Sequence, residues 1–130
     1  MILAVSGWRD HTDRAWIWHQ LNRMLHMGYT QFRVGDAGGV DSYTLSWCRE
    51  RVVPHTIYYA DWTLGLSGGP IRNRNMLVGT LNGGELATTL LAMPQPGPRR
   101  PRSGTWDCID AAFEYGVNVY IPAQKVKQPL

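Results

Sequence analysis

Phe32-Arg33-Val34-Gly35-Asp36-Ala37-Gly38-Gly39-Val40-Asp41 takes the chain from a strand, through a glycine-rich turn, directly into a helix. The strand is read over Gln31 to Val34, and beyond the turn Val40, Tyr43, Thr44, Trp47, Cys48 and Arg51 fall on one helical face. Such a turn at a helix N-terminus presents unpaired backbone N–H groups and the positive end of the helix dipole, and glycine lets an anion approach the chain closely. The pattern points to a nucleotide-like ligand. Its other reading is a tight strand-to-helix turn in which Gly38 and Gly39 serve positive φ or close packing.

Working outward, Ile2 to Ser6 is a short run of strand formers closed by Gly7. From Asp13 to Met27, Ile17, Trp18, Leu21, Met24 and Leu25 recur at helical spacing, with Thr12 or Asp13 able to cap the start and Gly28 the end. Val53 to Tyr59 reads as a third strand with Pro54 near its start. A glycine-containing loop then leads to Pro70, placed as the first residue of a helix through about Val78. A fourth strand falls within Ala87 to Ala92, a helix over Thr105 to Tyr115, and a fifth strand over Val117 to Ile121. Strand–helix alternation argues for a parallel sheet, because parallel neighbours need a crossover. The expected fold is α/β, a single Rossmann-like domain with a mostly parallel sheet and helices on both faces. It spans residues 1–122, and 123–130 form a C-terminal tail.

Composition bounds the function. The 130 residues, 44% hydrophobic and 18% charged, suit one globular core, and no apolar run approaches the roughly 18 residues that cross a bilayer. The first residues lack the basic lead of a secretory signal, so a soluble cytoplasmic protein with no membrane partner is expected. Cys48 and Cys108 both fall in predicted helices without a CxxC spacing, and His11, His19, His26 and His55 show no ligand spacing, so neither metal nor disulfide is indicated. No resident cofactor is expected. The net charge of +3 favours an anionic ligand but is too small to argue for nucleic acid.

Four strand-to-helix handovers, Ser6 to Arg9, Gly35 to Asp41, Asp61 to Arg72 and Ser103 to Thr105, should lie along the carboxyl edge of the sheet, where ligands bind at a topological switch point. The first supplies Ser6, Gly7, Trp8 and Arg9, and the second Asp36, Gly38, Gly39, Val40 and Asp41. The Arg9 fork suits phosphate, or an ion pair with Asp10 or Asp61. Asp41 either caps its helix or accepts from a ribose hydroxyl. Asp61, Trp62, Arg72 and Asn73 come from the third handover. Cations in a first helical turn oppose the dipole, so Arg72 calls for an anion or a carboxylate partner. Trp8 and Trp62 offer faces for a base or for packing at the sheet edge. Trp16, Trp18, Trp47 and Trp106 lie on helices and carry no ligand role. Ser103, Gly104 and Thr105 open the last helix as an ordinary cap or as a second phosphate seat.

Val5-Ser6-Gly7-Trp8-Arg9-Asp10, the turn Gly35 to Asp41, Ala60-Asp61-Trp62 and Gly69-Pro70-Ile71-Arg72-Asn73-Arg74-Asn75-Met76-Leu77, in that order and spacing, resemble the YspA-like, YpsA-related branch of the SLOG superfamily. The resemblance covers residues 2–121 and implies a Rossmann-like domain that binds nucleotides or nucleotide-derived molecules. It also brings in LOG-type phosphoribohydrolases, whose catalytic arginine sits in an Arg-Lys-x-x-Met segment and whose glutamate ends a Pro-Gly-Gly-x-Gly-Thr-x-x-Glu segment. Arg72 matches the arginine. Arg100 to Cys108 keeps only Gly104-Thr105 of the second segment and puts Cys108 at the glutamate position. A thiol does not supply that carboxylate at neutral pH.

The leading expectation is therefore a protein that binds a nucleotide or nucleotide-derived ligand, cyclic or ADP-ribose-type among them, as a sensor or sequestering protein. A LOG-like hydrolase is the alternative, with Arg72 on phosphate and Asp107 or Asp110 stabilising cationic sugar character. A third is DprA-like binding of single strands through Arg99, Arg100, Arg102 and the tryptophans, which the absence of a long basic stripe argues against. The many helical tryptophans and the LOG-like resemblance together lead to an expectation of a homo-oligomer.

Overall fold

The computed structural model describes residues 1–124. Five strands, β1 (Ile2–Gly7), β2 (Gln31–Val34), β3 (His55–Ile57), β4 (Thr89–Met93) and β5 (Asn118–Tyr120), form one sheet in the order β3-β2-β1-β4-β5. Every pairing is parallel. Four helices connect them, α1 (Arg14–His26), α2 (Val40–Arg51), α3 (Gly68–Val78) and α4 (Gly104–Tyr115). The fold is Rossmann-like α/β, as the alternating pattern leads one to expect.

Side chains of a strand alternate between faces, so the two central strands must be apolar on both. Leu3, Val5, Leu91 and Met93 pack with Ile17, Leu21 and Met24 of α1 and Trp47 of α2 on one face. Ala4, Leu90 and Ala92 pack with Met76 and Leu77 of α3 and Ile109 and Ala112 of α4 on the other. The helices thus cover both faces. The chain winds outward from β1 to β3 on one side, then crosses to β4 on the other, and the winding reverses between β1 and β4.

Local chemistry sets the ends of the elements. Asp13 caps α1 by accepting the Trp16 N–H at 3.1 Å, and the chain leaves through Gly28 at φ +99°. The expected third strand shortens to His55–Ile57, with Val53 and Tyr58 packed into the core on either side of it. The segment expected as a loop after Asp61 is a 3₁₀ stretch, Trp62–Ser67, kinked at Gly65 (φ +63°). Helix α3 begins at Gly68, two residues ahead of the expected Pro70. Of the expected tail, Gln124 hydrogen-bonds the His11 ring at 3.0 Å, and 125–130 lie outside the described residues.

One core residue has no apolar counterpart. Arg33, in the middle of β2, is 1% exposed and donates to the carbonyls of Met76 (3.1 Å), Leu77 (3.3 Å) and Glu85 (2.6 Å). It satisfies backbone acceptors at the C-terminal end of α3, where the helix dipole favours a cation.

Candidate functional site

A crevice of about 650 Å³ opens at the carboxyl ends of β1 and β4, at the point where the winding reverses. Ser6, Gly7, Trp8 and Arg9 line it from β1 and the loop after it. Trp62, Arg72 and Asn73 come from the 3₁₀ segment and α3, Asp41 from α2, and Ser103, Gly104 and Thr105 from the start of α4. Three of the four handovers contribute several lining residues each. Asp36, Gly38, Gly39, Val40 and Asp61 lie outside the lining and act from behind it.

The glycine turn is a seat for another loop. Its Val40 N–H donates to the Trp8 carbonyl at 3.2 Å, and a side chain at Gly39 (φ +59°) would meet the carbonyl oxygens of Trp8 at 2.3 Å and Arg9 at 2.5 Å. Gly7 is equally constrained, since a Cβ there would lie 2.4 Å from a Val40 methyl. The packing alternative thus describes Gly39 and Val40, and their effect is to hold the loop that carries Trp8 and Arg9.

Charged groups behind the crevice are paired. Arg72 meets Asp36 at 2.5 Å, which supplies the carboxylate partner its position demands, and its Nε donates to Asn73 Oδ1 at 3.0 Å. Asn73 in turn donates to the Gly104 carbonyl and to Asp107 Oδ2, both at 3.1 Å, fixing the start of α4 on α3. Asp61 caps the 3₁₀ segment through the Thr63 N–H at 3.1 Å. Arg9 forms no ion pair with Asp10 or Asp61.

Asp41 does not cap α2; Gly39 is the cap residue, and the Asp41 carboxylate accepts the Ala37 N–H at 3.1 Å. It shares the space above Gly35 with the Arg72 guanidinium, where a Cβ would lie 2.7 Å from each. Burial pushes the Asp41 carboxyl up to about 6, against the pull of Arg72 and of the Ala37 N–H. A carboxyl that holds its proton more tightly when folded favours folding below its unfolded value of 3.8, and that contribution is lost as pH rises towards 6. Asp41→Asn is therefore expected to flatten stability between those values and to stabilise the protein at pH 7 by on the order of 2 kcal/mol. Urea denaturation across the range checks this, and an unchanged slope contradicts it.

At the expected glutamate position, Cys108 is fully buried, and burial pushes its thiol up to about 12 despite the adjacent Ser6 hydroxyl. Cys48 is likewise buried. Asp107 is held by Asn73 and by Arg74 at 3.6 Å, and Asp110 pairs with Arg99. Both carboxylates border an adjoining groove of about 260 Å³, which shares Arg100, Arg102 and Ser103 with the crevice, and neither lines the crevice itself.

Anion-binding groups remain along one wall. Arg9, Arg100 and Arg102 line the crevice and have no ion-pair partner among the described residues. Beside them, Ser103 caps α4 by accepting the Trp106 N–H at 3.3 Å, so the N–H groups of Gly104 and Thr105 are the ones a helix start leaves without intrahelical acceptors. The cap and the phosphate seat are compatible. Gln95, Asp10 and Leu66 also line the crevice and were not foreseen; Gln95 follows β4 and is placed there by the pairing of β4 with β1. Among the described residues, no group of three His, Cys, Asp or Glu side chains could hold a metal ion, and no helix is long and apolar enough to cross a membrane. Comparison with family models finds no match, and comparison with curated proteins finds none.

Proposed function

We propose that the protein binds a nucleotide or nucleotide-derived molecule in the crevice between the ends of β1 and β4, and holds it as a sensor or sequestering protein. The observation that carries this reading is the convergence of Arg9, Arg100 and Arg102, unpaired among the described residues, with the N-terminus of α4 at the switch point of a doubly wound sheet. Positive groups gathered in a concave site favour a phosphorylated ligand. The ligand is a linear, cyclic or ADP-ribose-type nucleotide derivative.

Holding is favoured over hydrolysis by the side chains of α4. Cys108 is buried as a neutral thiol, and Asp107 and Asp110 are each engaged by arginine and are not among the residues lining the crevice. Isothermal calorimetry with adenine, guanine, cyclic and ADP-ribose-derived nucleotides tests the reading. Saturable binding that weakens with added salt is expected, because the contacts are between guanidinium groups and phosphate. No binding to any member of the panel contradicts it.

A further inference from the structure

The chain has six tryptophans, and five of them have their rings engaged within the protein. Trp8 and Trp16 both pack on the His11 ring, at centroid distances of 5.6 and 5.4 Å. Trp47 tilts against Phe32 at 5.2 Å, while Arg14 covers Trp18 and Arg99 covers Trp106. Trp62 is the exception among the described residues. Its indole passes over Gly69 at the start of α3, lines the crevice, and is 56% exposed with no aromatic or cationic partner.

The wall next to it is apolar as far as Pro70, and beyond it Arg72 and Asn73, which also line the crevice, are engaged by Asp36, the Gly104 carbonyl and Asp107. Leu66, 79% exposed, and Pro70 extend the same side of the crevice, and residues 62–71 contain no charged side chain. Thr63 faces its hydroxyl to Asp61 at 2.5 Å. This side therefore offers a flat ring and aliphatic surface, with the indole N–H as its only side-chain polar group in the lining. Arg9, Arg100 and Arg102 supply the opposite character elsewhere in the same crevice.

Resting on the nucleotide reading above, we infer that the Trp62–Pro70 wall seats the ligand's base by stacking, so that the site sorts ligands by the size of a flat aromatic ring and not by the ring's hydrogen-bonding groups. Stacking tolerates any base because each has a π-face, whereas a site built to hydrogen-bond a base rejects an analogue lacking the matching group strongly. A larger ring covers more of the exposed Trp62 and Leu66 surface, which favours purines over pyrimidines. Adenine and guanine, alike in ring size and opposite in their exocyclic groups, are treated alike.

Calorimetry with AMP, GMP, CMP and ribose 5-phosphate on the wild-type chain and on Trp62→Ala and Trp62→Phe tests the inference. AMP and GMP should bind within ~threefold of each other, CMP more weakly, and ribose 5-phosphate ~ten- to hundredfold more weakly than AMP. Trp62→Ala should bring AMP to the level of ribose 5-phosphate without changing the affinity for ribose 5-phosphate, and Trp62→Phe should restore most of the difference. A preference between AMP and GMP of more than ~threefold overturns the inference, as does CMP binding as tightly as AMP, or a Trp62→Ala variant that leaves AMP binding intact or weakens both ligands equally. Those results leave the nucleotide site standing. If no nucleotide binds at all, the underlying reading fails and the inference fails with it.

Discussion

Gly39→Ala is expected to cost the fold at least ~3 kcal/mol, seen as a fall in melting temperature of roughly 10 °C or more. Two effects add at this position. A non-glycine residue is strained at φ +59° and ψ −120°, and its Cβ would sit 2.3 Å from the Trp8 oxygen and 2.5 Å from the Arg9 oxygen. Both obstacles are backbone, so no rotamer change relieves them. Relief requires the loop after β1 to lift off α2, which breaks the bond from the Val40 N–H to the Trp8 carbonyl and displaces Trp8 and Arg9 from the crevice. Gly65 provides the control, since it has nearly the same φ, +63°, and nothing within 4 Å of an added Cβ. Gly65→Ala should lose only the conformational part, on the order of 1 kcal/mol. Equal losses for the two variants would contradict the close approach of the loops.

Arg33→Met should destabilise the protein by roughly 3–5 kcal/mol although it preserves most of the side-chain volume. The reason is the set of acceptors it abandons. The carbonyls of Met76, Leu77 and Glu85 receive charge-assisted bonds from a guanidinium that is 1% exposed, and those to Met76 and Leu77 are buried, so their loss leaves two acceptors without a partner. Gly79, at φ +78°, permits this arrangement, because a Cβ there would lie 2.3 Å from the Glu85 oxygen and 2.9 Å from the Arg33 guanidinium. Arg33→Lys retains the charge but not the fork, and should fall between wild type and Arg33→Met. Urea denaturation of the three proteins checks the order. An Arg33→Met protein within about 1 kcal/mol of wild type would show that the bonds contribute little.

The fold was legible because its signals are local. Ile17, Leu21 and Met24 repeat at helical spacing, Ile2 to Val5 form an unbroken apolar run, and alternation of the two patterns favours parallel strands. What could not be read was which strands become neighbours, since β1 meets β4 across more than eighty residues of sequence, Leu3 beside Thr89. The convergence of the Ser6, Arg72 and Ser103 segments was readable from the carboxyl-edge rule, but Gln95 enters only through that pairing. The 3₁₀ segment was hidden for a different reason. Gly65 and Gly68 punctuate it, and it buries none of its side chains, so no periodicity marks it.

The glycine turn shows where a motif underdetermines its role. Its sequence suits a phosphate or a tight packing contact equally, and the choice depends on whether another segment occupies the space above Gly39. Here the Trp8 and Arg9 carbonyls do. Arg72 was similarly open between an anion and a carboxylate, and Asp36, separated from it by α2 and β3, supplies a carboxylate while Arg72 still lines the crevice. In both cases the deciding partner is distant in sequence and adjacent in space.

The proposed anion seat joins Arg9, Arg100 and Arg102, without ion-pair partners among the described residues, to the start of α4, and backbone amide spectroscopy tests it. Titrating isotopically labelled protein with AMP should shift the amide resonances of Gly104 and Thr105 saturably and in step with those of Arg9 and Arg102, while resonances in the distant loop around Gly83 stay fixed. Saturable shifts that leave Gly104 and Thr105 unmoved, or no shifts at all, would contradict the account.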